Sequence, residues 1–306
     1  MSIFGFMPIL LMISWFLTPI LWAQFILAAG RRWAGLHRAW IDVDGCRWHY
    51  LHGGCGPVLV ALHGLGADGD NWLRIAPNLT RRFRVIAPDL PGFGRSVGEQ
   101  ELNFDIDSQT QRLNQFLEAL GVSPHIMIGN SMGGWIAASY AARFPGDLAA
   151  LWLLAPLGVK DSRQSPMLES IASGRHSPFQ VKNLTQFRER VLSPMYGQQP
   201  WFPYPMQVYY ARKAQKLSKA APSMFRQIRN DSEPLELIAK NIEIPVLLQW
   251  GVKDQAVDVS GVEAMKNALA EITIQVQEQT GHIPMLETPS SSLRFFTDFC
   301  ARHDLI

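Results

Sequence analysis

The sequence predicts an α/β fold: a mostly parallel sheet covered by helices on both faces, interrupted by an all-helical insertion and preceded by an N-terminal membrane helix. Three observations lead there. Short apolar runs alternate with helical patterns over most of the chain, which is the signature of a sheet buried on both sides. The alternation lapses between residue 156 and about residue 242, where the pattern is helical. The chain of 306 residues holds 28 basic and 26 acidic side chains, yet none lies before Arg31, and 22 of the first 29 residues are apolar. The charged remainder has the composition of one globular unit, which excludes disorder and a collagen-like chain. No second uncharged run is long enough for a multi-span channel, and a net charge of +2 gives no electrostatic footprint for nucleic acid.

Residues 9–29 form an uncharged run of 21 residues. As one helix it measures about 31 Å at ~1.5 Å per residue, close to the ~30 Å of a bilayer core. Pro8 falls in the first turn, where its missing N–H costs nothing, and Pro19 kinks the middle. Trp15, Trp22, Trp33 and Trp40 lie in or near the segment, those at its ends suiting the membrane interface. Arg31, Arg32 and Arg38 follow, so the positive-inside rule puts the globular part on the cytoplasmic side of a single-pass anchor. A cleaved signal peptide calls for a basic start and a shorter apolar core. A helix lying in the interface is the other alternative. Cys46, Cys55 and Cys300 form no C-x-x-C pair and exclude a disulfide scaffold.

Beyond the anchor, strands are expected at 58–62 (VLVAL), 84–88, 126–129, 148–154, 245–250 and 272–277. Helices are expected at 71–79, 105–120 with Asp105 as N-cap and Gly121 as stop, 132–144, and from about 290 to 301. Helical patterns within the insertion centre on 164–173, 184–192, 206–219 and 234–240. The chain thus divides into an anchor (1–35), a first core part (36–156), a helical cap (157–242) and a second core part (243–306). A cap inserted between parallel strands sits over the sheet's C-terminal edge, where ligands of such folds bind.

Gly64, Gly66 and Gly69 satisfy G-x-G-x-x-G after a strand, and Asp89 ends the next strand twenty residues on. Those are the contexts of a dinucleotide site. Against it, Asp70-Asn71-Trp72 are charged and bulky where the third glycine needs close packing, and His63 has no role there.

A different constellation accounts for more residues. Gly129-Asn130-Ser131-Met132-Gly133 is a G-x-S-x-G between an apolar strand and a helix, the setting of a nucleophile elbow. A side chain at either glycine would collide with neighbouring backbone, and the helix aims its N–H groups at the serine. Serine needs a base. Of eight histidines, His282 follows the 272–277 strand in a loop on the same sheet edge. His63 is also near that edge but shapes the glycine loop, while His37, His49, His52, His125, His176 and His303 lie elsewhere. Asp254, after the 245–250 strand, is the orienting carboxylate, and Asp258 is the alternative, better explained by helix capping. Backbone N–H groups of Leu65 and Met132 are the expected oxyanion donors.

With His63-Gly-Leu-Gly, Asp89-Leu-Pro-Gly-Phe-Gly-Arg-Ser96, Gly-Asn-Ser131-Met-Gly-Gly, Gly-Val-Lys-Asp254 and Gly281-His282 in order, residues 40–306 resemble the α/β-hydrolase superfamily. The resemblance implies a cap after the sixth strand. The segment 250–261, the cap length and the N-terminal span look like the membrane-anchored monoacylglycerol lipases and bacterial lipase/esterase relatives. The serine motif alone is also similar to hydrolases that cleave carbon–carbon bonds of ring-fission products. Those usually carry tryptophan after the catalytic histidine, where this chain has Ile283-Pro284. Dehalogenases and epoxide hydrolases of the fold use an aspartate nucleophile, which Ser131 argues against. The resemblance implies a serine hydrolase of lipid esters, with no metal or organic cofactor. The cap aromatics Trp201, Phe202, Tyr204, Tyr209 and Tyr210 are candidates for the acyl-chain entrance, with ordinary packing as the equal alternative. Because Leu65 is assigned through its N–H, Leu65→Ala should lower kcat on a short ester far less than Leu65→Pro, which removes the donor. Equal losses in the two variants would contradict the assignment.

Overall fold

The computed structural model describes residues 7–98, 102–146, 148–173, 178 and 180–306. Eight strands form one sheet: β1 (His37–Val43), β2 (Cys46–Gly53), β3 (Val58–Leu62), β4 (Arg84–Pro88), β5 (Ile126–Asn130), β6 (Ala150–Leu154), β7 (Val246–Gly251) and β8 (Ile272–Gln277). Their spatial order is β1-β2-β4-β3-β5-β6-β7-β8. The β1–β2 and β2–β4 pairs are antiparallel and all later neighbours are parallel. The opening hairpin is absent from the list of strands expected from sequence. Its turn, Asp44-Gly45, has φ of 46° and 71°, the positive values that a two-residue hairpin requires and that Asp-Gly adopts readily.

The helices are α1 (Met7–Leu17), α2 (Pro19–Trp33), α3 (Ala76–Leu79), α4 (Ile106–Ala119), α5 (Met132–Arg143), α6 (Pro166–Ala172), α7 (Leu184–Phe187), α8 (Ser193–Met195), α9 (Tyr204–Leu217), α10 (Ala221–Asn230), α11 (Leu235–Ile238), α12 (Gly261–Ala268), α13 (Pro284–Glu287) and α14 (Pro289–Arg302). Asp105 caps α4 as expected, its carboxylate accepting Ser108 N–H, and Gly121 follows with φ 61°. The 71–79 helix is instead a 3-10 turn at Gly69–Trp72 followed by α3. Elements α6 to α11 lie between β6 and β7, so the insertion follows the sixth strand; α10 has no counterpart among the helical patterns expected there.

Alternation along the strands splits the core into two layers. Val60, Leu62, Ile86, Met127, Leu151, Leu153 and Leu248 join α4, α5 and α12 on one face. Leu59, Ala61, Val85, Ile128, Trp152 and Leu247 join Trp72, Phe296 and Phe299 on the other. Trp152 stacks on Phe296 at 4.6 Å between ring centroids. With both faces covered, only the strand ends are open, and the C-terminal ends receive the functional loops.

The expected membrane segment does not form one unbroken helix, and only as a bent pair does it have the length and composition to cross a membrane. The apolar run breaks into α1 and α2, bent by 98°, and no single described helix is long and apolar enough to cross a membrane. The cause is local. Thr18 precedes a proline, which disfavours helical backbone, and it sits at φ −124°, ψ 51° with Pro19 opening the next helix. The second half of the run is docked on the body. Pro19, Ala23, Leu27 and Arg31, four residues apart, are its buried stripe, and Ala23 and Leu27 pack with Met206 of α9. The opposite face, with Leu21 and Phe25, is exposed, as are Leu10, Met12, Phe16 and Leu17 of α1. The arginine cluster is not a free flank either, since Arg31 is buried in an ion pair with Asp70 and Arg38 donates to His49. If the stripe holds α2, Leu27→Ala should cost the docked state about 2 kcal/mol or more. Hydrogen exchange of α2 amides should then accelerate ahead of the sheet; unchanged protection would refute the docking.

Candidate active site

Three strand ends bring the predicted residues together. Ser131 sits between β5 and α5 at φ 56°, ψ −121°, a region that costs a non-glycine residue about 1–3 kcal/mol. The flanking glycines are there for space. A Cβ on Gly129 would lie 2.3 Å from the Gly133 carbonyl oxygen, and one on Gly133 would lie 2.2 Å from that of Leu62. The elbow is pinned by Ser131 N–H donating to Leu154 O at 3.1 Å. Asn130 adds two side-chain bonds, from Nδ2 to Leu154 O and to His282 O, each 3.0 Å. Asn130 therefore ties the serine turn to the histidine loop across the sheet.

The His282 ring lies against Asp254, with Nδ1 2.8 Å from Oδ2. Both side chains are nearly closed to solvent. The other Asp254 oxygen accepts Ala256 N–H at 2.8 Å and Val257 N–H at 2.9 Å. With Oδ1 so occupied, Oδ2 faces the ring, and the Nδ1–H tautomer leaves Nε2 as the free base. Asp258 has a different role. Its Oδ1 accepts Ser260 N–H at 2.9 Å beside Arg163, ahead of α12. Those bonds to Ser260 and Arg163 outweigh its partial burial and hold its carboxyl below the usual range.

The histidine loop depends on a residue not singled out in the sequence. Glu287 accepts Gly281 N–H at 2.9 Å and, from the insertion, Gly197 N–H and Gln198 N–H at 3.2 and 2.7 Å. His282 N–H donates to Met195 O at 2.8 Å. Apart from Gly281, six residues from Glu287, the partners of Asn130 and Glu287 lie 24 to 152 residues away, so no local pattern marks their roles.

The glycine loop passes beside the serine: a Cβ on Gly64 would stand 3.1 Å from Ser131 Cβ. Among the described residues, neither Leu65 N nor Met132 N donates a hydrogen bond to the protein, which is the state an oxyanion site requires. His63 is fully buried. Its Nδ1 lies 2.8 Å from Gly64 O, and its Nε2 accepts Leu90 N–H at 3.0 Å, so it is a neutral brace of this loop. Burial pushes its pKa below the ordinary histidine value, against the pull of Asp89. Asp89 accepts Gly69 N–H, Arg95 N–H and His49 Nδ1–H. Burial alone would raise Asp89, but the His49 bond and charge and the Gly69 N–H bring it down to about 2. Three donors already occupy Asp89 and its side chain is closed to solvent, so no ribose hydroxyl reaches it. The dinucleotide reading fails on that count.

The cap aromatics separate. Phe202, Tyr209 and Tyr210 pack with Ala23 and Leu27 of α2, and Tyr204 meets Phe16 of α1 at 5.2 Å. Trp201 stands 83 % exposed. His176 lies outside the described residues. Two clefts of about 220 and 260 Å³, one beside Arg82 and Cys300 and one beside Met167 and Arg190, are lined by no residue of the serine site.

Residues 57–289 match the family model of the alpha/beta hydrolase fold, and the chain belongs to that family. Lipase 1 of Psychrobacter immobilis is 32 % identical over 235 residues, covering 76 % of this chain and 73 % of that protein. Monoacylglycerol lipase ABHD6 of Mus musculus is 27 % identical over 257 residues, covering 80 % and 76 %. Among solved structures, a bacterial membrane phospholipase A described as a virulence factor superposes with a TM-score of 0.89 at 36 % identity, covering 99 % of both chains.

His63 also sets a pH dependence. Its pKa is lowered in the folded state, so the unfolded chain takes up a proton near pH 6.5 that the folded chain refuses. Its contribution is complete above pH 6.5 and shrinks as the pH falls below it. Denaturant unfolding between pH 7.5 and 5 should show that decline, and it should be shallower in His63→Gln. An identical slope in the variant would contradict the buried neutral ring.

Proposed function

We propose that this chain is a serine hydrolase of carboxylic esters acting on lipids, with monoacylglycerols as the favoured substrates. In this reading Ser131, His282 and Asp254 are its catalytic triad. The observation that carries the reading is the strained Ser131 turn at the N-terminus of α5, beside the buried His282–Asp254 pair and two N–H groups that have no partner among the described residues. The named lipases among the relatives support the substrate class.

The chemistry follows from the geometry. His282 Nε2 takes the proton as Ser131 Oγ attacks the ester carbonyl. Asp254 holds the imidazole in the Nδ1–H tautomer and stabilises the imidazolium. Charge developing on the carbonyl oxygen is met by Leu65 and Met132 N–H and by the positive end of α5. His282 then returns the proton to the glycerol oxygen as the ester bond breaks. Water attacks the acyl-enzyme with His282 again as base, releasing the fatty acid.

Residues 157–242 act as the cap over this centre. In this proposal the enzyme works at a membrane, where its substrate dissolves, a reading supported by the exposed apolar faces of α1 and α2 and by the exposed Trp201 of the cap. Catalysis on the cytoplasmic side also belongs to this proposal; it requires α1 and α2 to cross the bilayer as a bent pair with Arg32 on the inner side.

A fluorophosphonate probe should label the full-length protein in detergent, and Ser131→Ala should abolish labelling and lower kcat about 10⁵-fold. Folded wild-type protein that takes no label would overturn the mechanism. Turnover of a vinylogous diketone in the absence of monoacylglycerol hydrolysis would instead overturn the substrate class.

A further inference from the structure

The segment that carries Leu65 is fastened at both ends, and one fastener belongs to the N-terminal helix. His63 braces the start. Beyond Leu65 the chain has little slack. Ala67 N–H returns to Gly64 O at 3.2 Å, Asp70 N–H to Asp68 Oδ1 at 3.1 Å and Asn71 N–H to Asp68 O at 3.0 Å. Gly69 N–H reaches Asp89 Oδ1 at 2.8 Å. Two ion pairs then lock the far end. Lys213 of α9 bonds Asp68, and Arg31 Nη1 of α2 lies 2.7 Å from both oxygens of Asp70. Arg95 is the only other cation in salt-bridge range of Asp70 among the described residues, more distant at 3.5 Å.

The Arg31–Asp70 pair is unusual in its burial, with side chains 8 % and 0 % exposed. Desolvating two ions offsets most of their attraction, so an apolar pair of similar volume often holds two elements together as well. Adhesion of α2 is already supplied by Pro19, Ala23 and Leu27. What an apolar contact cannot supply is a directional bond to a carboxylate five residues from Leu65. Burial and the neighbouring Asp68 raise the Asp70 carboxyl and Arg31 opposes the shift; the two 2.7 Å bonds from Arg31 Nη1 fix the carboxylate's orientation.

We infer that Arg31 is a positioning residue for ester hydrolysis: through Asp70 it holds the 63–70 segment so that Leu65 N–H faces the oxyanion. Helix α2 is then a working part of the active site as well as a membrane element. The inference rests on the proposed serine-hydrolase reading and on Leu65 as an oxyanion donor.

The test uses full-length protein in detergent with a water-soluble short-chain nitrophenyl ester, so that membrane binding does not enter. Arg31→Met should lower kcat at least about tenfold with KM within about twofold, because a displaced donor weakens the transition state and spares binding. The rate of fluorophosphonate labelling should fall in parallel, and Arg31→Lys should recover most of both. The double variant R31M/D70N leaves no orphaned carboxylate. It should regain the melting temperature lost in R31M and keep the low kcat. The inference is overturned if R31M retains kcat within twofold, or if R31M/D70N recovers kcat together with stability, since either result makes the pair structural only. Wild-type protein without ester turnover or labelling would instead overturn the underlying enzymatic reading, and the inference with it.

Discussion

The φ of 56° at Ser131 is the constraint on which the rest of the site depends. A serine held there turns the chain sharply from the end of β5 into α5. The turn survives because its surroundings leave no room to relax: glycines 129 and 133 face backbone at distances no Cβ tolerates, and Asn130 is bonded on two sides. The strain of about 1–3 kcal/mol is offset by the two buried layers that fix β3, β5 and β6. The serine turn is tied to the histidine loop after β8 through Asn130 and lies against the glycine loop after β3.

Much of this was legible in the sequence, and for physical reasons. Strands buried on both faces read as unbroken apolar runs, so 58–62 coincides with β3, while the alternating run 272–277 coincides with β8, a half-buried strand at the sheet edge. The G-x-S-x-G pattern was legible because collision at either glycine is a local matter. Helix periodicity located α9, α4 and α14 to within a few residues. The antiparallel hairpin was passed over because β1 is an exposed edge strand without an apolar run, although Asp44-Gly45 marks its turn. Asn130 and Glu287 were illegible for another reason. Their bonds join segments 152 and 90 residues apart, and only the assembled sheet brings those together.

The N-terminus shows the limit of composition most clearly. A 21-residue uncharged run and a helix docked on a protein surface have the same hydropathy, because both faces of α2 are apolar. What separates them is Pro19 behind Thr18, which turns the chain by 98°, and the four-residue spacing of Ala23, Leu27 and Arg31. The arginine that composition assigns to a membrane flank lies instead against Asp70. On the proposed reading, attachment to lipid and organisation of the oxyanion loop fall to neighbouring parts of one short segment.

The central claim is that Ser131, His282 and the N–H groups of Leu65 and Met132 act on one carbonyl. A crystal structure of the protein after reaction with an alkyl fluorophosphonate tests it most directly. The account predicts phosphorus bonded to Ser131 Oγ, with the phosphoryl oxygen about 2.7–3.1 Å from both Leu65 N and Met132 N and His282 Nε2 within hydrogen-bond reach of Oγ. Phosphorus on another residue, or a phosphoryl oxygen turned away from both N–H groups, would contradict it.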